Sequence, residues 1–127
     1  MPRPVILCID DEDLGLEIRK MVLEREGFTV LTAHDGLTGL SIFESEPVDA
    51  VILDYAMPGM DGGQVAVILR QRKPDVPILM LSAYVALPAH VMSVVNFSAT
   101  KGDGAFSLIN KLKELLANAP DGPGSTP

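Results

Sequence analysis

Cysteine is nearly absent from this chain of 127 residues: Cys8 stands alone. One thiol cannot close an internal disulfide, so the fold must hold without covalent staples, which fits a reducing compartment. Cys8 lies inside the apolar run Val5-Ile6-Leu7-Cys8-Ile9, where a thiol acts as a small buried hydrophobe rather than a reactive group. Tryptophan is missing and aromatics are only 5% of residues, so aliphatic side chains must fill the core. No apolar run is long enough to span a bilayer. The first is cut by Asp10, too early for a signal peptide. Positive charge is in deficit: 10 Lys and Arg against 17 Asp and Glu leave a net charge of −7. That argues against non-specific attraction to nucleic acid or anionic lipid and permits a basic partner. The expectation is a cytoplasmic protein without membrane contact or direct nucleic-acid binding.

What is plentiful is aliphatic residue, within an apolar share of 47%. One domain over residues 4–117 is expected from this length. Short apolar runs alternate with amphipathic stretches, the pattern of repeated βα units on a parallel sheet. The strands are expected at Val5–Ile9, Phe28–Ala33, Ala50–Leu53, Pro77–Leu81 and Phe97–Thr100. Asp13 is placed as cap of the first helix, with Leu14, Ile18, Met21 and Val22 on its inner face. Asp35 caps the second, whose inner residues are Leu37, Leu40 and Phe43. The third turns Val65, Ile68 and Leu69 inward. A short fourth covers His90–Val95, and the last carries Leu108, Leu112, Leu115 and Leu116. Residues 118–127 run Asn-Ala-Pro-Asp-Gly-Pro-Gly-Ser-Thr-Pro and are read as a flexible tail or linker, too polar to bury a core.

Carboxylates end two of the apolar runs. Asp10-Asp11 follows Val5–Ile9, and Asp54 follows Val51-Ile52-Leu53. Ligands of open α/β sheets bind at the carboxyl ends of the strands. If these two strands are neighbours, three carboxylates converge there, and like charges so placed raise one another's pKa unless a cation neutralises them. A hard divalent-cation site around Asp54 follows. His34 and His90 have no partner at metal-ligand spacing and are read as incidental. Met57 and Met60 are read as loop packing, and Pro58 and Gly59 as turn formers.

Four features stand in order at four strand ends: Ile9-Asp10-Asp11-Glu12; Leu53-Asp54 with Met57-Pro58-Gly59-Met60-Asp61-Gly62; Leu81-Ser82-Ala83; and Lys101. Together they resemble the receiver domain of two-component response regulators, of the chemotaxis-regulator type. The resemblance covers essentially all of residues 4–117. It implies a doubly wound (βα)5 flavodoxin-like sandwich with a five-stranded parallel sheet in order 2-1-3-4-5. It implies that Asp54 is the phosphoacceptor, attacking phosphorus in a Mg²⁺-dependent transfer from a sensor histidine kinase or phosphotransfer protein. By the same resemblance Mg²⁺ would be held by Asp11, Asp54 and the backbone carbonyl of Ala56, with Asp10 acting through a bound water. Lys101 would hold one phosphoryl oxygen as a compact charge and Ser82 would donate to another, while Ala83 leaves the pocket open. The chain would be no conventional enzyme but a phosphoacceptor catalysing its own phosphorylation and dephosphorylation. It would switch contacts with a downstream protein or a C-terminal effector domain.

The chain departs from the family in two places. Gly102 follows Lys101 where the family has proline joined through a cis bond. A non-proline cis bond costs about 3–4 kcal/mol, so a trans or rearranged link is expected, with a more mobile 102–104 loop. The stretch from Ser82 to Lys101 is also short, which trims the fourth helix; Pro88, Val91, Val94 and Val95 favour no long one. The family's movable aromatic falls here at Ser98. Tyr84 and Phe97 are the remaining candidates, and strand alternation sends Phe97 to the core. These departures motivate a rival: a degenerate receiver serving as a constitutive protein-binding module. A haloacid-dehalogenase-type hydrolase is disfavoured because Ala56 occupies its second-aspartate position. A nucleotide-binding domain is disfavoured because no Gly-rich loop follows the first strand.

Overall fold

Each aliphatic run forms a strand because helices cover both of its faces, so both alternate sets of side chains find apolar cover. The computed structural model describes residues 3–83 and 86–118. Its elements are β1 (Val5–Ile9), α1 (Asp13–Arg25), β2 (Thr29–Ala33), α2 (Gly36–Ser45), β3 (Ala50–Asp54), α3 (Gly62–Arg72), β4 (Ile78–Ser82), α4 (Ala89–Met92), β5 (Phe97–Thr100) and α5 (Ala105–Asn118). All strand pairings are parallel, in the order β2-β1-β3-β4-β5. This is the doubly wound architecture expected above.

Strand alternation sorts the core into two layers. Ile6, Cys8, Ala50, Ile52, Leu79 and Leu81 face α1 and α5, meeting Leu16, Leu23, Leu108 and Leu112. Leu7, Ile9, Val51, Leu53, Ile78 and Met80 face the other side, meeting Val65, Ala66, Leu69 and Val91. Each fully buried aliphatic side chain contributes about 1.5–3 kcal/mol. The same period of two decides where the site forms. Asp10 continues the Ile6–Cys8 face, Asp54 the Ala50–Ile52 face, and Lys101 the Phe97–Ala99 face, all toward α1 and α5.

Two helices sit differently from expectation. In α1, Leu14, Ile18 and Met21 are exposed, and Leu16 and Leu23 are buried, with Val22 packed beside them. Leu16, Arg19 and Leu23 share the inner face at helical spacing, and Arg19 turns inward to an ion pair with buried Asp10. The apolar stripe at 14, 18 and 21 therefore points outward. Asp13 does not cap α1; the cap position is Glu12, without a side-chain bond. The Asp13 carboxylate instead meets His34 Nδ1 at 2.8 Å.

In α2, Asp35 caps as expected, accepting from the Thr38 N–H at 2.7 Å, but Leu37 is exposed. The inner face runs through Gly36 and Gly39, with Leu40 and Phe43 packed on the core. A Cβ on Gly39 would overlap the Ile9 side chain, and one on Gly36 would come within 2.7 Å of Val65 Cγ2. Close approach, rather than a leucine, sets that interface. In α3, Ile68 is only half-buried.

α4 is even shorter than expected and ends at Met92. Arg70 explains how the unwound stretch is held. Its guanidinium donates to the carbonyls of Pro74, Val76 and Val94 and to Asn96 Oδ1, at 2.6–3.1 Å. Asn96 Oδ1 also accepts the Ile78 N–H at 2.9 Å. One arginine thus ties α3, the entry to β4 and the entry to β5 together.

α5 extends through Asn118, the first residue of the expected tail; residues 119–127 lie outside the described residues. Among the described residues there is no cis peptide bond. Lys101–Asp103 form a single 3₁₀ turn closed by Thr100 and Asp103, the Thr100 N–H donating to Asp103 Oδ2 at 3.1 Å.

Candidate functional site

Parallel strands place their carboxyl ends at one edge, so the loops after β1, β3, β4 and β5 meet there. β1 delivers Asp10, with no exposed surface. Its Oδ1 accepts the Glu12 N–H at 2.9 Å, and its Oδ2 faces Arg19 Nη1 at 3.3 Å and Lys101 Nζ at 3.4 Å. β3 delivers Asp54, 3% exposed. Lys101, just past β5, sits between the acids: its Nζ is 3.2 Å from Asp54 Oδ1 and 2.6 Å from Glu12 Oε1.

The loop after β3 is folded back tightly. The Tyr55 N–H donates to the Leu81 carbonyl at 2.8 Å, and the Gly62 N–H to the Tyr55 carbonyl at 2.7 Å. Gly59 takes φ +76° to make the turn. Asp61 then opens α3 with a reciprocal cap to Gln64, both bonds 2.9 Å. Met57 is buried and Met60 half-buried on the second core layer, so both pack the loop.

Three carboxylates, Asp10, Glu12 and Asp54, bring oxygens within 4.8 Å of one another. Burial first, and the Asp10 charge second, push the Asp54 carboxyl up to about 7 from an ordinary 3.8; Lys101 opposes the shift, and a hydrogen bond with Asp11 adds to it. For Lys101, burial favours the neutral amine, yet the Glu12 hydrogen bond and the Asp54 and Asp10 charges outweigh it and raise its pKa. These are acids crowded beyond what one lysine relieves. The donors are hard oxygens, and the cluster is compact enough to surround one small cation, which suits Mg²⁺.

Of the residues singled out in the sequence, Asp10, Asp54 and Lys101 come together. Asp11 is exposed on the rim, beside Asp54. Ala56 is exposed in the loop directly after Asp54. Ser82 is 2% exposed at the end of β4, one residue past the Asp54–Leu81 pairing, and Ala83 is exposed beyond it. Phe97 packs against the first core layer, with Lys111 Nζ 5.7 Å from its ring centre. Tyr84 lies outside the described residues. Two residues escaped the sequence reading: Glu12, whose only signal was its place after the acidic pair, and Arg19, hidden by the apolar stripe on the opposite face of α1.

The comparisons with known proteins agree with this geometry. A family model described as the response regulator receiver domain matches residues 6–111. The alkaline phosphatase synthesis transcriptional regulatory protein SphR of Synechococcus elongatus is 33% identical over 99% of this chain and 54% of its own length. The corresponding protein PhoP of Bacillus subtilis is 44% identical over 61% of this chain and 32% of its own length. The chain therefore spans about half or less of these curated relatives. The solved structure of the response regulator TrrA of Thermotoga maritima in complex with Mg²⁺-BeF superposes with a TM-score of 0.85 at 35% identity, covering 89% of this chain and 99% of that one. TrrA has also been solved in complex with the histidine kinase ThkA; that TrrA structure matches at a TM-score of 0.82 and 35% identity, covering 89% of this chain and 98% of that one. No described helix is long and apolar enough to cross a membrane.

Proposed function

Because this chain belongs to the response regulator receiver family, we propose that Asp54 accepts a phosphoryl group from a sensor histidine kinase or a phosphotransfer protein. The observation that carries this reading is the buried Asp54 at the end of β3, crowded by Asp10 and met by Lys101 at 3.2 Å. Asp54, Asp11 and the Ala56 carbonyl would hold Mg²⁺ directly, Asp10 through a water, with Glu12 at the rim. Bound there, Mg²⁺ supplies the charge neutralisation that in-line phosphoryl transfer needs.

The chain's own residues do the rest. An Asp54 carboxylate oxygen forms the new O–P bond as the P–N bond of a phosphohistidine breaks, and the released imidazole takes a proton from solvent. Lys101 leaves Glu12 and Asp10 for a phosphoryl oxygen. The Ser82 hydroxyl donates to another, and Ala83 keeps the approach open. The domain speeds its own phosphorylation and its later hydrolysis by the same positioning. The added charge then biases the surface presented to a downstream protein, or to an effector domain in a longer chain. A cytoplasmic location fits the single unpaired thiol. A net charge of −7 leaves nucleic-acid contact to such an effector.

The test is intact mass after incubation with acetyl phosphate. The wild type gains one phosphoryl mass with Mg²⁺ and none with EDTA, and Asp54→Asn gains none in either. Absence of an Asp54-dependent adduct would leave the constitutive binding module as the better account.

A further inference from the structure

We propose that Arg19 is a built-in counter-ion for Asp10, which stabilises the pocket without metal and weakens its affinity for Mg²⁺. The inference rests on the metal reading of the site given above. Arg19 occupies the inner face of α1 between Leu16 and Leu23, a place that would otherwise take an apolar side chain. Its side chain is only 14% exposed, and that of Asp10 1%. The helix meanwhile leaves Leu14, Ile18 and Met21 at 71%, 52% and 57% exposure. An inward-turned, largely enclosed guanidinium aimed at a buried carboxylate in this setting is compensating a charge, not decorating a surface.

Asp10 has two cations on the same oxygen, and only one of them is committed. Lys101 also serves Glu12 and Asp54. Arg19 has no carboxylate partner other than Asp10 among the described ion pairs. When Lys101 turns to a phosphoryl group, Arg19 remains with Asp10. When Mg²⁺ enters, Arg19 is a positive charge held 3.3 Å from Asp10 Oδ2, whose negative charge would otherwise favour the metal through its bound water. Guanidinium cannot shed its proton to make way. It is therefore a positioning residue: it fixes Asp10 and sets how strongly the pocket needs a metal. A cavity of about 210 Å³ between α1, β5 and α5 borders both Arg19 and Lys101, so an uncharged side chain at 19 can be housed without clashes.

The experiment measures Mg²⁺ dissociation constants and thermal midpoints in EDTA for the wild type, Arg19→Met, Arg19→Gln and Arg19→Lys, with Asp54→Asn alongside. Arg19→Met and Arg19→Gln should bind Mg²⁺ about tenfold more tightly. Their metal-free midpoints should fall by about 5 °C and recover with Mg²⁺. Arg19→Lys should stay near the wild type in both. If Arg19→Met folds only with Mg²⁺, the proposal is supported and Arg19→Gln supplies the affinity. Unchanged or weaker Mg²⁺ binding in both neutral variants overturns the counter-ion role while leaving the metal site intact. If neither the wild type nor any variant binds Mg²⁺, both the proposal and the metal reading fall. If Asp54→Asn binds as tightly as the wild type, the metal reading alone is at fault and the metal-free midpoints decide Arg19.

Discussion

Lys101 Nζ stands 3.2 Å from Asp54 Oδ1 although the two arrive from strands that do not pair, Lys101 just past the edge strand β5 and Asp54 at the end of the central β3. The same ammonium reaches Asp10 and Glu12. One cation thus serves three acids, two of them buried. Removing it should expose the imbalance. Lys101→Met is expected to lose about 2 kcal/mol of metal-free stability at pH 8, by urea denaturation, and to regain part of it with Mg²⁺. Equal urea midpoints for the two proteins in EDTA would contradict the shared-cation account.

The raised Asp54 pKa fixes the sign of a pH effect. The folded carboxyl titrates near 7, and the unfolded one near 3.8. Between those values the folded state holds the extra proton, so stability present below pH 4 is lost as pH rises to 7. The loss is at most about 4 kcal/mol. Metal-free wild type should therefore weaken relative to Asp54→Asn across pH 4–7, and the gap should level off above pH 8. Urea midpoints of the pair at four pH values measure it. A gap that stays constant with pH would exclude the shift.

Gly62 sets the return of the loop behind Asp54. A Cβ there would press on the Asp54 carbonyl oxygen and come within 2.7 Å of Tyr55 Cα. Both are backbone atoms with no room to yield. Gly62→Ala is expected to cost about 2–3 kcal/mol and to slow Asp54 phosphorylation more than it lowers stability predicts. Gly63→Ala meets a side chain, Val91 Cγ2 at 2.8 Å, and should cost less. Thermal unfolding of the two variants orders them, and the reverse order would show that the loop adapts.

Arg70 does for the short fourth region what helix turns would otherwise do. It satisfies three backbone carbonyls and Asn96 at once. Arg70→Leu should cost about 2–3 kcal/mol and speed amide exchange at Asn96 and Ile78, the residues pinned through it. Hydrogen exchange localised elsewhere would refute the clamp.

Much of this was visible in the sequence. The five strands announce themselves as apolar runs, and Asp10, Asp54 and Lys101 stand at their ends, so parity along each strand is enough to aim them together. Helix rotation was not visible. In α1 two apolar stripes compete, Leu14–Ile18–Met21 and Leu16–Val22–Leu23. The winner is decided by Asp10, a partner from another element that draws Arg19 inward. In α2 glycine contacts replace the expected Leu37. α4 ends early because Arg70, far away in sequence, captures the Val94 carbonyl. Local pattern places elements; the charges that turn them are long-range.

Cys8 gives an independent check on the core beneath the site. It is wholly buried, and burial pushes its thiol up to about 12. Labelling by a thiol reagent at pH 8 should proceed only as fast as the protein unfolds. Rapid labelling of the native protein would mean that β1 is open to solvent.

The central claim is that burial and self-repulsion hold Asp54 partly protonated until a divalent cation quenches them. Carbon-13 NMR of the Asp54 carboxyl, titrated with and without saturating Mg²⁺, tests it most directly. The account predicts a metal-free midpoint near 7 and a fall of about two units or more when Mg²⁺ is bound. A metal-free midpoint near 3.8 that Mg²⁺ does not move would contradict it.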